Sequence, residues 1–427
     1  MKNDHPVVDP TELRELARQA YLYTVPLVIM ETTRKWRLRN GANVFNHARK
    51  LLNHRSRWIT TPNNDTLYSD AWLDLSRGPL TITVPDTGER YFSLAFMDMY
   101  TNNFAILGTR TTGNGGGEYT IVGPRHAIPE GAGNVVRAPT PRVWALGRVL
   151  VDGPEDLADA CAVQDGLFIN KDAPTEDVTE GEPVLRDAPW DQYLKAANEL
   201  LRREPPPATD LGILRKIAPL GIGPHQHFDV SRFDAEQARA IEEGIEAARD
   251  FLVTVQGARG AVVEGWTYPS GRTGDFGQDY LLRAVIAVGG LGALPVEEAM
   301  YMRADGDQER GLFDGKRNYR LHFPAGEMPP LDSFWSLSLY EAMDDGQFFF
   351  ADTPLRRYAI GDRSPGLTWN EDGSLDIWIG ADNPGEGREN NWLPAPEKPF
   401  AMIFRGYMAK SALRNGRYRL PRVVRVD

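Results

Sequence analysis

The hydrophobic period of this chain changes twice, and that double change restricts the fold more than any single motif does. From about residue 57 to residue 151, apolar side chains recur at every second position. Leu80, Ile82 and Val84 alternate with threonines, Phe92, Leu94 and Phe96 alternate with small residues, and YTIV and VWALGRVLV follow glycine or proline punctuation. Short strands at that spacing predict a β-sandwich. The period then turns helical. Segments 154–164 and 188–203 read as short helices, and Ile241, Ile245, Ala248 and Leu252 share one face of a run from Asp234 to about Val255. GQDYLLRAVIAVGGLG adds an apolar helix ended by Gly289 and Gly290. After about residue 300 the strands return in YRLHF, FWSLSLY, SLDIWIG, FAMIFR and RYRLPRVVRV, which predict a second sandwich or jelly roll.

Ahead of the first strands, Asp9 and Pro10 form a cap and opening turn for TELRELARQAYLYTVPLVIMETTRKW, an amphipathic helix in which Pro26 predicts a kink or break near Tyr23. The expected organisation is therefore an opening helix over 1–40, an N-terminal β-sandwich over 41–152, a mostly helical insert over 153–298 and a C-terminal jelly roll over 299–427. The acidic, proline-bearing stretch 172–189 reads as the main linker, and EPPPATD at 204–210 as a second.

Charge and cysteine usage narrow the function classes. With 59 acidic against 48 basic residues the net charge is −11, which gives no general attraction to nucleic acid or to anionic lipid. The single cysteine, Cys161, can form neither an internal disulfide nor a thiolate metal cage. The first residues lack the apolar run of a secretory signal, and LYTVPLVIM at 22–30 is too short to span a bilayer, so the chain reads as cytoplasmic with no membrane partner. No Walker sequence, GxSxG elbow or HExxH motif is present, which removes the usual support for nucleotide hydrolysis, the common esterase route and zincin proteolysis.

Longer strings carry a resemblance. AYLYTVPLV, TTPNNDTLYSDAWLDLS and FMDMYTNNFAILGTRTTGNGGGEYTIVGP resemble the first of the paired families of unknown function numbered 1254 and 1214. FWSLSLY, YAIGDR, NEDGSLDI, NWLPAP and PFAMIFRGY resemble the second. The resemblance covers most of the chain and implies a mainly β fold: an N-terminal immunoglobulin-like β-sandwich, a central α-helical module and a C-terminal jelly-roll sandwich. It assigns no catalytic residues. Many relatives carry an export signal, and its absence here is a departure.

Three clusters are candidates for chemistry. In GPHQHFDVSRFD, His225, His227 and Asp229 recur every two residues, so an extended strand would project all three from one face. Two imidazoles and a carboxylate form a facial ligand set for iron(II) or zinc. A polar turn after Gly223 and Pro224, with Asp229 or Ser231 capping a helix, explains the same residues. His225 also suits a general base. The second cluster is Asn63, Asn64, Asp65, Tyr68, Asp70, Asp98, Tyr100, Asn102, Asn103 and Arg110. Buried without partners, each such group costs roughly 1–3 kcal/mol, so these residues either satisfy one another or line a pocket. The turn reading pairs Arg110 with Asp98 or Asp65; the site reading makes a carboxylate and a tyrosine proton acceptor and donor beside an anion-binding arginine. The third, TTGNGGGEYTIV, precedes a strand and reads as a hairpin rather than a phosphate loop.

These features predict a cytosolic enzyme acting on a small, largely apolar organic molecule in an interdomain cavity. Its chemistry would be acid–base, of hydrolase or lyase type, with Asp65, Tyr68, Asp98, Arg110 and His225 as catalytic residues. One alternative is a metal-dependent oxygenase or hydrolase built on His225, His227 and Asp229. Another is a non-catalytic binding or assembly protein. Exposed sheet edges make a homodimer the default assembly.

Overall fold

The structure, a computed structural model, describes residues 9–38, 41–170, 182–255, 260–306 and 311–426. It is mainly β, with helices in the middle of the chain. The chain opens with α1 (Pro10–Arg37), capped where Asp9 accepts from the Thr11 amide at 2.8 Å. Nine strands follow: β1 (Asn46–His47), β2 (Thr66–Asp74), β3 (Leu80–Val84), β4 (Phe92–Asp98), β5 (Asn103–Gly108), β6 (Gly117–Val122), β7 (Asn134–Arg137), β8 (Arg142–Leu150) and, after α2 (Leu157–Asp165), β9 (Phe168–Ile169). They form a five-stranded sheet ordered β1-β2-β8-β4-β5 and a four-stranded sheet ordered β7-β6-β3-β9. Leu67, Leu73, Phe92, Leu94, Phe96, Val143 and Val149 from the first sheet pack on Leu80, Ile82, Tyr119 and Ile121 from the second. The period-two pattern is thus a two-sheet core, as expected. The glycine-rich loop after β5 is a crossing between the two sheets rather than a hairpin, since β5 pairs with β4 and β6 with β3.

The helices are α3 (Trp190–Arg203), α4 (Leu211–Ile217), α5 (Ala235–Val255) and α6 (Tyr280–Gly290). They share one core with α1, which runs unbroken through Pro26. The amphipathic expectation holds only for the first turns of α1. From Ala20 to Val28 every residue is buried, because the helices pack on one side and Trp72, Met97 and Trp144 of the five-stranded sheet on the other. Tertiary packing on all faces offsets the hydrogen bond that Pro26 cannot donate. Of the linker expected at 172–189, residues 172–181 lie outside the described residues. The second expected linker is packed instead of free: Glu204 and Asp210 are fully buried, Glu204 binding Arg142 at 2.8 Å and Asp210 accepting from Tyr23 at 3.0 Å.

The C-terminal strands are β10 (Val262–Val263), β11 (Trp266–Thr267), β12 (Ala299–Ala304), β13 (Tyr319–Phe323), β14 (Trp335–Ala342), β15 (Phe348–Phe349), β16 (Ala359–Gly361), β17 (Leu375–Gly380), β18 (Trp392–Pro394), β19 (Phe400–Tyr407) and, after α7 (Ser411–Arg414), β20 (Val423–Arg425). The large sheet runs β10-β11-β12-β19-β14-β15 with β16 also on β14, and the small one runs β18-β17-β13-β20. Met300, Met302, Trp335, Leu337 and Phe404 of the large sheet meet Leu321, Phe323, Ile377 and Ile379 of the small one.

The contact between α1 and α5 is close enough to test. A Cβ built on Gly244 in α5 would lie 2.1 Å from the Arg14 carbonyl oxygen and 3.1 Å from the Ala17 Cβ. Glycine to alanine inside a helix ordinarily stabilises by about 1 kcal/mol. Here the sign is expected to invert: Gly244→Ala should lower the unfolding free energy by about 1–3 kcal/mol, read from the denaturant midpoint.

Candidate functional site

Strands β2, β4 and β8 are buried along nearly their whole length, although a sandwich strand needs only one buried face. Their second set of side chains meets two partners. Trp72, Met97, Trp144 and Leu146 pack on the helical core, and Tyr91, Ala95, Ile106 and Leu150 pack on Ala299, Phe334 and Tyr407 of the C-terminal region. Between those patches lies a polar row, in which the register puts Arg148 directly between Tyr68 on β2 and Ser93 on β4. The facing strands of the large C-terminal sheet repeat the arrangement, with Arg405 between Tyr301 on β12 and Ser336 on β14. Two tyrosine–arginine–serine rows, one from each sandwich, therefore belong to the same three-way junction with the helical unit.

Arg148 is 4% exposed. Its Nη2 donates to the Gly292 carbonyl at 2.7 Å in the loop after α6, and its guanidinium carbon lies 5.4 Å from the centre of the Tyr68 ring. Nε and Nη1 are buried and take no acceptor among the described residues. Arg405 is equally buried but satisfied: Nη1 donates to Ser338 Oγ at 2.8 Å and Nη2 to the Thr61 carbonyl at 3.1 Å. The rings of Tyr301 and Tyr340 lie 6.0 and 5.7 Å from its guanidinium carbon. Tyr68 and Tyr301 are half-buried, and neither hydroxyl has a hydrogen-bond partner among the described residues. Burial raises the Tyr301 hydroxyl above the ordinary tyrosine value, and the Arg148 charge opposes that shift. The group is a protonated phenol at neutral pH.

Of the residues expected to act together, Asp65 and Tyr68 are at this junction. Asp65 sits in the Asx turn predicted for PNNDT, its amide donating to Asn63 Oδ1 at 2.6 Å. Its carboxylate accepts from Ser336 Oγ at 2.6 Å and lies 3.6 Å from Arg363. Asn63 Nδ2 donates to the Tyr407 hydroxyl at 2.8 Å. Arg110 pairs with neither Asp98 nor Asp65. Its Nε donates to Glu298 Oε2 at 2.6 Å, and the other Glu298 oxygen accepts from Tyr91 at 2.7 Å, so the ion pair bridges the N-terminal sandwich to the segment before β12.

Asp98 lies apart, on the helical side of the first sandwich. It accepts from the Tyr100 and Asn102 amides at 2.9 Å each, and its charge is felt by Arg283. Arg283 in turn lies 3.6 Å from Asp210, and Asp279 caps α6 by accepting from the Leu282 amide at 3.1 Å.

The histidine cluster is not brought to the junction. His225 and His227 are exposed in a turn, not aligned on a strand, and Asn198 of α3 fixes that turn by donating to the Gln226 carbonyl at 3.0 Å. Asp229 is occupied as a cap, accepting from the Ser231 amide at 2.9 Å and hydroxyl at 2.8 Å. No described hydrogen bond, ion pair or ring contact joins this turn to Asp65, Tyr68 or Arg110. Among the described residues, no group of three His, Cys, Asp or Glu side chains is placed to hold a metal ion. Cys161 is half-buried on α2 against the first sandwich core.

Arg148, Arg405 and Tyr407 escaped the sequence reading. Their signal is visible in VWALGRVLV and FAMIFRGY: a lone arginine within a strand whose other residues are apolar or small on both faces. Such a residue must be buried when the strand is covered on both sides.

Asp98 supplies a pH test. Burial pushes its carboxyl up to about 6 from an ordinary 3.8, against the amides and Arg283 that favour the charge. A raised acid binds its proton more tightly folded than unfolded, so its contribution to stability is present at low pH and is lost as pH rises between those two values. The parent chain should lose on the order of 2 kcal/mol more than Asp98→Asn between about pH 4 and pH 6, measured by chemical denaturation at each pH.

The comparisons follow the same division of the chain. Residues 42–171 match the model of a protein family of unknown function, DUF1254, and residues 298–411 match that of a second, DUF1214. Among solved structures, the crystal structure of the VPA0106 protein from Vibrio parahaemolyticus is 27% identical with a TM-score of 0.73, covering 97% of this chain and 100% of that one. An uncharacterized protein from Burkholderia cenocepacia is 15% identical with a TM-score of 0.49, covering 97% and 94%. No curated protein matches. Both family matches fall on the β regions and leave the helices between them, and the chain carries an N-terminal DUF1254 region followed by a C-terminal DUF1214 region.

Proposed function

We propose that the chain is an enzyme that acts on a small, largely apolar organic molecule at the three-way junction, by acid–base chemistry of hydrolase or lyase type. One observation carries this reading: two phenols without hydrogen-bond partners among the described residues, Tyr68 and Tyr301, reach one buried arginine from separate sandwiches. In a purely structural interface, buried polar groups are expected to satisfy one another. Here two buried donors of that arginine, Arg148 Nε and Nη1, are left over among the described residues.

The roles follow from the groups. Tyr301, kept protonated by burial, is the proton donor to a substrate oxygen, and Tyr68 is the second donor on the opposite wall. Asp65 is the carboxylate of the pair, oriented by Ser336 and Arg363. Arg148 holds the substrate without titrating, since a guanidinium keeps its charge at any working pH. Arg110 and His225 leave the catalytic set, the first because Glu298 neutralises it and the second because its turn belongs to the helical unit. A binding protein with no chemistry is the competing reading, and the same experiment separates the two.

A bacterial metabolite extract incubated with the purified chain should lose a small organic compound and gain its product, as followed by mass spectrometry. Tyr301→Phe and Asp65→Asn, each with an unchanged melting curve, should slow that conversion by roughly 10²–10⁴-fold. An extract left unchanged by the parent chain, with a compound retained on the protein, selects the binding reading.

A further inference from the structure

The charges at the junction do not balance. Four arginines meet there: Arg110 is paired with Glu298 at 2.6 Å and Arg363 with Asp65 at 3.6 Å. Arg148 and Arg405 have no carboxylate within ion-pairing distance among the described residues. Arg405 at least spends its donors on Ser338 and on the Thr61 and Pro62 carbonyls. Arg148 spends one donor on Gly292 and leaves Nε and Nη1 buried without acceptors. Around it, the other unpartnered buried polar atoms on that face among the described residues are of both kinds: Trp72 Nε1 and Trp144 Nε1 donate, Asp70 Oδ2 and Asn103 Oδ1 accept, and Ser93 Oγ can do either. A buried cation with unused N–H groups is costly unless an anion meets it, and water supplies acceptors but no charge. In a chain of net charge −11, this is a local excess of positive charge.

From this we infer that the junction takes the carboxylate group of a small organic anion, with its two oxygens on the free N–H groups of Arg148 and its apolar remainder against the half-buried rings of Tyr68 and Tyr301. This rests on the reading above that a small molecule occupies the junction, and names its class. A planar monoanion matches one unpaired guanidinium, whose fork geometry suits carboxylate oxygens. The Tyr68 ring, 5.4 Å from the Arg148 guanidinium carbon, suits an apolar body better than a second charge. A phosphate dianion would need more donors than one arginine and two phenols supply.

The test uses the full chain and three probes at matched ionic strength: benzoate, the neutral isostere benzamide, and inorganic phosphate. Benzoate should raise the melting temperature in a saturable way, as a ligand of the folded state does, while benzamide and phosphate leave it unchanged. Arg148→Met removes the unpaired charge at similar volume and should weaken benzoate at least about tenfold, whereas Arg239→Met, on the exposed face of α5, should leave benzoate bound. As a measurement independent of any variant, crystals of the parent chain soaked in 4-bromobenzoate should show the bromine anomalous signal between the two sandwiches. Equal stabilisation by benzamide, a phosphate response in place of benzoate, no response to any probe, or bromine elsewhere overturns the inference. Benzoate binding without conversion of any metabolite overturns the enzymatic reading and leaves the anion site standing. Conversion of a neutral compound that needs Tyr301 but not Arg148 does the reverse.

Discussion

The second face of the five-stranded sheet is the constraint on which the rest of the structure depends. β2, β4 and β8 already fill one core with Leu67, Phe92, Leu94 and Val149, and the opposite side of the same strands is also withdrawn from water. Part of it is covered by α1 and its helical neighbours through the stacked pair Trp72 and Trp144, whose ring centres lie 5.7 Å apart. The rest is covered by the C-terminal sheet through Tyr91, Phe334 and Tyr407, with Phe334 and Tyr407 stacked at 4.0 Å. Apolar burial of this kind is the dominant favourable term in folding, and here it joins three units along one surface. The helical segment is consequently no loose insert: it shares a core with α1 and forms one wall of the junction.

That surface also explains why polar groups at its centre are chemically unusual. Side chains in a core are normally apolar or fully hydrogen-bonded. At the seam between helical unit and second sandwich, the strands present Arg148 and Tyr68 instead, opposite Arg405 and Tyr301. The structural ion pairs around the seam, Arg110 with Glu298 and Asp65 with Arg363, each span N-terminal and C-terminal residues. They fix the register of one sandwich on the other. Arg148 is not engaged in this way, and its Nε and Nη1 stay without an acceptor among the described residues.

Much of the architecture was legible from periodicity. The strands at 80–84 and 92–98, the α5 face of Ile241, Ile245 and Ala248, and the Asp9 cap all follow from local spacing that tertiary context did not override. The turn chemistry of Asn63 and Asp98 was likewise local. The site was legible only in part. Asp65 and Tyr68 lie beside it and Arg110 is spent on Glu298 at its edge, while Asp98 and His225 are held elsewhere by Asn102 and the turn bound to Asn198. Residues grouped by proximity in sequence shared a strand or turn but not a side of it, and β2 alone sends Leu67 and Tyr68 to opposite faces.

What the sequence determined by itself was each element's type and the alternation of its side chains, because hydrogen-bonding geometry ties a period of two or 3.6 residues to strand or helix within a few residues. Which faces would be covered, and by what, was decided only when residues more than two hundred positions apart came together, as Tyr91 does with Glu298. The junction, its unpaired guanidinium and the two phenols beside it belong to that second level, since a strand's period is blind to what packs against its second face.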